Sequence, residues 1–137
     1  MPTIKEFSIQ MEDRPGTLGK FCRALADKGV SILAFQSFLS EGKSVIRMIV
    51  DNSNTAKTVL ETERQTYTET EVAQAKLPNR TGELARAASR LGEANININY
   101  AYAGIEPGTN LPLLIFGVAD APRAASVLDQ AAAAART

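Results

Sequence analysis

The fold of this 137-residue chain is decided by one short stretch, Asp13-Arg14-Pro15-Gly16-Thr17-Leu18. Before it, residues 6–11 alternate between apolar and polar side chains, as in a half-buried strand. After it, apolar side chains recur at positions 18, 21, 22 and 25, the spacing of one face of an amphipathic helix that Gly29 ends. Pro15 and Gly16 interrupt the pattern. The stretch therefore predicts a strand, a loop and a helix in that order.

The rest of the first half predicts three more strands and a second helix. Residues 30–39 form the second strand, and Glu41-Gly42-Lys43 makes a tight connection to the third strand over residues 44–50. Asp51-Asn52-Ser53 supplies side chains that start a helix. Residues 66–70 are then available as a fourth strand. The predicted order is βαββαβ.

The same plan recurs after a shift of 66 residues, where Asn79-Arg80-Thr81-Gly82-Glu83-Leu84 aligns with the first loop. Residues 72–77 predict a strand before this second loop, and a helix follows it. Residues 96–103 and 113–119 predict two further strands, and Asp120 precedes a last helix. Nothing remains after that helix for a fourth strand. The sequence thus predicts two domains, residues 1–70 and residues 71–137, of which the second lacks its last strand.

The predicted fold class is α+β: two tandem ferredoxin-like βαββαβ units, each an antiparallel sheet with its helices on one face. In that arrangement the third strand lies between the first and the second, so residues 30–39 and 96–103 are edge strands. Both are long and largely apolar, hence poor edges to leave in solvent. We expect them to pair with each other or across a homodimer. The missing strand's place is expected to be covered by residues 66–77, by the other repeat or by a second chain.

Composition excludes several kinds of site. The 15 basic and 15 acidic side chains balance, which argues against nucleic-acid or membrane partners. The absence of His and the single Cys argue against a His-based triad, a zinc site and an internal disulfide. No signal or spanning segment is recognisable, so a cytoplasmic protein is expected. No cofactor and no metal are predicted.

Both loops resemble the signature of the ACT domain family. In that family an acid or Asn, Arg, Pro and Gly loop precedes a Leu-bearing helix and a polar strand entry. Asn97-Ile98 matches that entry, whereas Ser31-Ile32 carries Ser in place of Asn, and Thr81 replaces Pro in the second loop. The resemblance covers nearly the whole chain as two tandem copies, so it implies a stand-alone pair of such domains. It further implies a non-catalytic regulatory module that binds an amino acid between paired domains, with a metabolic enzyme as the regulated partner.

The loop chemistry is compatible with that implication. A loop glycine lets a ligand approach the backbone, and the following helix N-terminus is an anion site suited to a carboxylate. Asp13 is an acceptor for an ammonium group, and Asn79 is a donor or acceptor. The candidate ligand-binding residues are Asp13, Arg14, Pro15, Gly16, Thr17, Leu18, Ser31, Ile32, Asn79, Arg80, Gly82, Glu83, Leu84, Asn97 and Ile98.

Two alternatives stay open at this stage. Gly16 and Gly82 also fit as plain turn glycines, which would leave degenerate pockets in a protein-binding or structural module. An enzyme is the weaker alternative, because the sequence offers no constellation of nucleophile and base. The sequence does not name the amino acid or the regulated partner.

Overall fold

The computed structural model describes residues 3–136, with side chains described as far as residue 129. The chain divides into two units, one of residues 5–70 and one of residues 71–137 together with residues 1–4. The described residues form six strands and four helices. These are β1 (Ile4–Glu12), α1 (Thr17–Asp27), β2 (Ile32–Ser40), β3 (Lys43–Val50), α2 (Ser53–Thr62), β4 (Thr66–Lys76), α3 (Glu83–Glu93), β5 (Tyr100–Ile105), β6 (Pro112–Gly117) and α4 (Ala121–Arg136).

In the unit of residues 5–70, β3 lies between β1 and β2 and is antiparallel to both. The alternating residues Phe7, Ile9 and Met11 of β1 are buried, as their pattern predicts. They share one core with Leu25 of α1 and Leu60 of α2. Because alternate side chains of a strand lie on one face of the sheet, both helices pack on that face. The predicted α+β arrangement is confirmed for this unit.

The second unit repeats the strand order. Here β6 lies between β4 and β5 and is antiparallel to both. Leu77, Phe116, Leu91 of α3 and Leu128 of α4 belong to one buried core. The helix α4 follows β6 directly, and no later strand occurs among residues 118–136.

The hairpin turn and the helix ends depend on residues with positive φ. Glu41 (φ 50°) and Gly42 (φ 78°) form the two-residue loop between β2 and β3, and positive φ at both positions is typical of a type I′ hairpin turn. The helices α1, α2 and α3 end alike, on Gly29 (φ 75°), Arg64 (φ 55°) and Asn95 (φ 60°) respectively. In each case the next residue's N–H donates to the carbonyl five residues earlier at 2.9–3.0 Å, as in a Schellman motif.

Two predicted strand limits differ from the structure. Residues 66–70 and 72–77 are predicted as separate strands, but residues 66–76 form the continuous strand β4. The stretch from 66 to 76 contains no Gly, Pro, Asn or Asp, so nothing in it ends a strand. The predicted strand at 96–103 begins only at Tyr100. Before it, Asn97 donates its side-chain N–H to Asn99 Oδ1 at 3.1 Å, a local bond that competes with strand pairing.

Two burial predictions were also wrong. Glu6, expected on a polar face, is buried, and Arg47 of β3 lies 4.0 Å from its carboxylate. Ile49 is fully buried on that same side of the sheet, so the face opposite the helices is not a solvent face here. The apolar residues at 84, 87, 88 and 91 have the spacing of one helix face and predict that Leu84 is buried, but Leu84 is 55% exposed and Glu83 is buried instead. The helix therefore turns a carboxylate inward at its first residue.

Candidate functional site

The first loop, residues 13–16, leads from β1 into α1 through a glycine in the left-handed region. Gly16 has φ 89° and is the N-cap of α1, and no side chain caps this helix end. A Cβ added at Gly16 would meet no atom within 4 Å, so its φ rather than crowding requires glycine. The N–H groups of the first turn thus lack a side-chain acceptor. Such a helix end is suited to an anionic group.

A pocket of about 340 Å³ adjoins this loop. It is lined by Arg14, Pro15, Gly16, Thr17, Lys20, Phe21, Glu63 and Gln65. A second depression of about 400 Å³ shares several of these residues and extends to Glu12, Lys43 and Arg64. The loop therefore opens onto a surface basin formed together with the connection between α2 and β4. We call these two pockets the first-loop basin.

Basic side chains outnumber acidic ones in the first-loop basin. Lys20, Lys43 and Arg64 line it together with Arg14, against Glu12 and Glu63. Arg14 Nε lies 2.7 Å from Glu12 Oε2, with both side chains mostly exposed. An exposed ion pair of this kind contributes at most about 1 kcal/mol, so Arg14 can exchange Glu12 for another carboxylate at small cost. The basin favours a ligand that carries a negative group.

The structure brings part of the predicted first site together. Arg14, Pro15, Gly16 and Thr17 line the basin. Asp13 is exposed and is not among the residues lining either pocket of the basin. Leu18 is half-buried and packs against the core of its own unit. The predicted role of Asp13 as an ammonium acceptor stays a prediction.

The strand entry at Ser31 and Ile32 lies at the other end of the sheet in this unit. Ile32 pairs with Val50 at the end of β3, whereas Glu12, next to the loop, pairs with Lys43 at its start. Seven residues of strand separate these positions, which is about 23 Å. The Ser31 N–H donates to Asp51 Oδ1 at 2.9 Å, and Ile32 packs against the core. A ligand held by this unit's loop does not reach this unit's own strand entry.

The second loop copies the backbone of the first. Gly82 has φ 90° and is the N-cap of α3, again without a side-chain cap. In both loops the N–H after the glycine donates to the carbonyl three residues earlier at 3.3 Å. The adjoining pocket measures about 140 Å³ and is lined by Asn79, Arg80, Glu83 and Leu84 with apolar neighbours. The chemistry differs, because Glu83 stands where the first loop has Thr17.

The second strand entry is also remote from its own loop. Lys76 pairs with Leu113 at the start of β6, whereas Tyr100 pairs with Gly117 at its end. Asn97 is exposed, and Ile98 packs against the core of the second unit. Neither of these two residues is among those lining the second-loop pocket.

Sequence reasoning missed the residues that complete the first-loop basin. Lys43, Glu63, Arg64 and Gln65 lie 26–48 residues beyond Thr17, and only the topology of the unit brings them beside the loop. The positive φ of Arg64 is the one unusual local feature among them. No periodicity or motif in the sequence marks these positions.

The thiol of Cys22 shows no sign of activation. Burial raises its pKa, so at neutral pH the thiol stays protonated and is a poor nucleophile. No group of three or more Cys, Asp or Glu side chains in the described part of the chain is placed to hold a metal ion. Among the described helices, none has the length and apolar character needed to cross a membrane.

Comparison with known proteins places this geometry in a family. Residues 5–66 match the ACT domain. A protein from Bacteroides thetaiotaomicron has a similar structure, with a TM-score of 0.81 and 22% identity over 93% of this chain and 88% of that one. The regulatory subunit of aspartate kinase from Thermus thermophilus, in its ligand-free form, gives a TM-score of 0.69 and 15% identity over 97% and 92%. No curated protein sequence matches this chain.

The first unit is a small α+β module whose strand–helix loop opens onto a basic basin. The match over residues 5–66 identifies this unit as an ACT domain. The resemblance inferred from Asp13-Arg14-Pro15-Gly16-Thr17-Leu18 is thereby confirmed. Identities of 22% and below show a shared fold with the other structures and nothing finer.

Proposed function

We propose that this protein is a non-catalytic regulatory module that binds a free amino acid through its first loop. In this proposal the ligand's carboxylate lies at the N-terminus of α1, beside Gly16, with Arg14 and Lys20 as counter-charges. The second unit is taken as a further ACT-type domain, so that the chain is a tandem pair with the boundary at residues 70 and 71. The regulated partner would be an enzyme of amino-acid metabolism.

One observation carries the proposal: an uncapped helix N-terminus opens onto a basin in which basic side chains outnumber acidic ones. Helix N–H groups and cations together favour a carboxylate, whereas they disfavour a cationic ligand. The pocket of about 340 Å³ that adjoins the loop falls within the range of small-molecule pockets. The fold is also that of aspartate kinase regulatory subunits from Thermus thermophilus and Thermus flavus.

The direct test is a thermal-shift panel of the twenty amino acids on the full chain. A ligand at 100 times its dissociation constant stabilises the folded state by about 2.7 kcal/mol. For 137 residues the unfolding entropy is about 0.29 kcal/mol/K, so the expected rise in Tm is about 9 °C. No rise with any amino acid at 10 mM contradicts the proposal.

A derivative of the best ligand identifies the group that is recognised. The amide of that amino acid lacks the carboxylate, so it is expected to lose most of the rise in Tm. The Lys20→Met variant is expected to weaken the parent amino acid severalfold. Lys57→Met is the matched control, because Lys57 pairs with Glu69 and is not among the residues lining the basin. Equal weakening in both variants argues against a site at the first loop.

A second candidate function is a protein-binding module. On β2, Phe35 is 52% exposed and Leu39 is 65% exposed, and both lie on the same face of the strand. Exposed large apolar side chains on one face of a strand favour contact with another protein surface. A second copy of the chain or a regulated enzyme would cover these two side chains. Sedimentation of wild type and of a Phe35→Ser, Leu39→Ser variant distinguishes the cases, since a dimer held there becomes a monomer.

A further inference from the structure

The carboxylate of Glu83 has a buried oxygen that nothing in the described structure satisfies. Glu83 is the first residue of α3, and its side chain is 7% exposed. Its Oε1 accepts from Arg80 Nη2 at 2.9 Å. Its Oε2 is buried, and no hydrogen-bond donor of the described residues reaches it. Buried carboxylate oxygens are normally satisfied, because an unmade bond to a charged group costs more than about 1–3 kcal/mol.

This carboxylate lines the second-loop pocket. The pocket of about 140 Å³ has Leu77, Leu84 and Pro112 among its apolar walls and Asn79 as a neutral polar group. A cavity of this size holds several waters or a small organic group. Arg80 also lines the pocket. A small pocket lined by a carboxylate and by apolar side chains suits a short amine-bearing group, which needs a negative acceptor and apolar contact for its carbons.

The two loops therefore have opposite preferences in spite of their common backbone. At the first loop α1 begins at Thr17 and has no acidic residue in its first turn. At the second loop the side chain of Glu83 already supplies the negative charge in the first turn of α3. A ligand carboxylate there would be repelled by the like charge of Glu83, whereas a cation would supply the missing hydrogen bond to its carboxylate.

We propose that the second-loop pocket binds the protonated amine of a small ligand, with Oε2 of Glu83 as its acceptor and Oδ1 of Asn79 as a further acceptor. The inference rests on the proposed function, because it assigns a ligand chemistry to the second of the two loops. When no amine is bound, Arg80 is the cation that pairs with Glu83. Its side chain is 57% exposed, so it can turn outward and let the amine reach the buried oxygen.

The test is a titration of the full ¹⁵N-labelled chain with ethylammonium chloride, followed by amide chemical shifts. Sodium acetate is the comparison probe at equal ionic strength. Ethylammonium is expected to shift the amides of Arg80, Gly82 and Glu83 and to leave Gly16 and Thr17 in place. Acetate is expected to do the reverse. If ethylammonium does not shift the amides of residues 79–84, the inference is overturned.

Variants test whether the charge of Glu83 is responsible for binding. Glu83→Gln keeps the shape and removes the charge, and it is expected to weaken ethylammonium at least tenfold. Thr17→Gln changes the matched position of the first loop and should leave ethylammonium binding unchanged. An unaltered affinity in Glu83→Gln overturns the inference, as does equal weakening in both variants.

Arg80→Met keeps the test decisive if Glu83→Gln does not fold. It removes the internal cation, so ethylammonium is expected to bind severalfold more tightly than to wild type. Unchanged or weaker binding contradicts the role given to Arg80 and Glu83. A failure confined to ethylammonium leaves amino-acid binding at the first loop standing, whereas a flat amino-acid panel removes the proposed function even when ethylammonium binds.

Discussion

Replacing Gly16 with Asn is expected to destabilise the protein clearly, whereas the same replacement at Gly29 is expected to be mild. Both glycines have positive φ, and a Cβ at either would meet no atom within 4 Å. They differ in backbone angle, since φ is 89° at Gly16 and 75° at Gly29. The non-glycine residues with positive φ in the described chain lie between 50° and 60°. Gly16 is therefore about thirty degrees beyond what side chains adopt here.

Helix ends within the same chain provide the reference for Gly29. Asn95 and Arg64 occupy the equivalent Schellman position in α3 and α2, so this position accepts a side chain. We expect Gly29→Asn to cost less than about 0.5 kcal/mol and Gly16→Asn to cost about 1–2 kcal/mol. Asn at Gly16 gains little from capping, because a capping side chain needs an extended backbone at that position.

The assay is thermal unfolding followed by circular dichroism, repeated with the amino acid that the panel identifies. With an unfolding entropy of about 0.29 kcal/mol/K, Gly16→Asn is expected to lower Tm by about 3–7 °C and Gly29→Asn by less than about 2 °C. Gly16→Asn is also expected to abolish the ligand-induced rise, and Gly29→Asn to keep it. Equal losses of Tm in the two variants would refute the reasoning from φ. A full ligand response in Gly16→Asn would refute the assignment of the site.

Two further predictions concern the sheet. The Glu69 carboxylate pairs with Lys57 at 3.0 Å and Lys5 at 3.1 Å, and hydrogen bonds from these two lower its pKa. The ionised carboxylate therefore stabilises the fold above the ordinary pKa of 4.5, and this stabilisation is lost as the pH falls through the lowered pKa of the folded state. Plots of Tm against pH for wild type and Glu69→Gln should therefore converge in acid. Parallel plots would contradict this. At Gly117 a Cβ would lie 2.2 Å from the Tyr100 ring, so Gly117→Ala is expected to cost about 1–3 kcal/mol in urea unfolding. Adding Tyr100→Leu should recover part of that loss, and strictly additive losses would show that the ring is not the cause.

The local features of the fold were predictable because they depend on neighbouring residues. The alternation of Phe7, Ile9 and Met11 predicted a strand and its buried face, and all three side chains are in the core. Glu41-Gly42 predicted a tight turn, and both residues adopt the positive φ of a two-residue hairpin. Asn52 predicted a helix start, and its Oδ1 accepts from the Thr55 N–H at 3.1 Å. Each of these features is settled within a few residues of sequence.

The limits of the strands were less predictable, because pairing partners and local bonds compete. The chain continues through Thr70 as one strand although the sequence pattern changes from one repeat to the next at that point. Asn97 and Asn99 bond each other through their side chains just before β5, and the Asn99 N–H already donates to the Gly117 carbonyl of β6 at 2.9 Å. Both outcomes depend on whether a neighbouring strand offers better bonds than the segment itself, which periodicity does not express.

The order of elements, the two glycine loops and the family of the first of them follow from residues that are close together in the sequence. The surroundings of each loop follow from the tertiary structure alone. That structure placed Lys43 and Arg64 beside the first loop, set Ser31 and Ile32 at the far end of the sheet, and turned Glu83 inward at the second. The physical reason is that φ and periodicity are set by adjacent residues, whereas burial and local charge arise from packing between residues far apart in the chain.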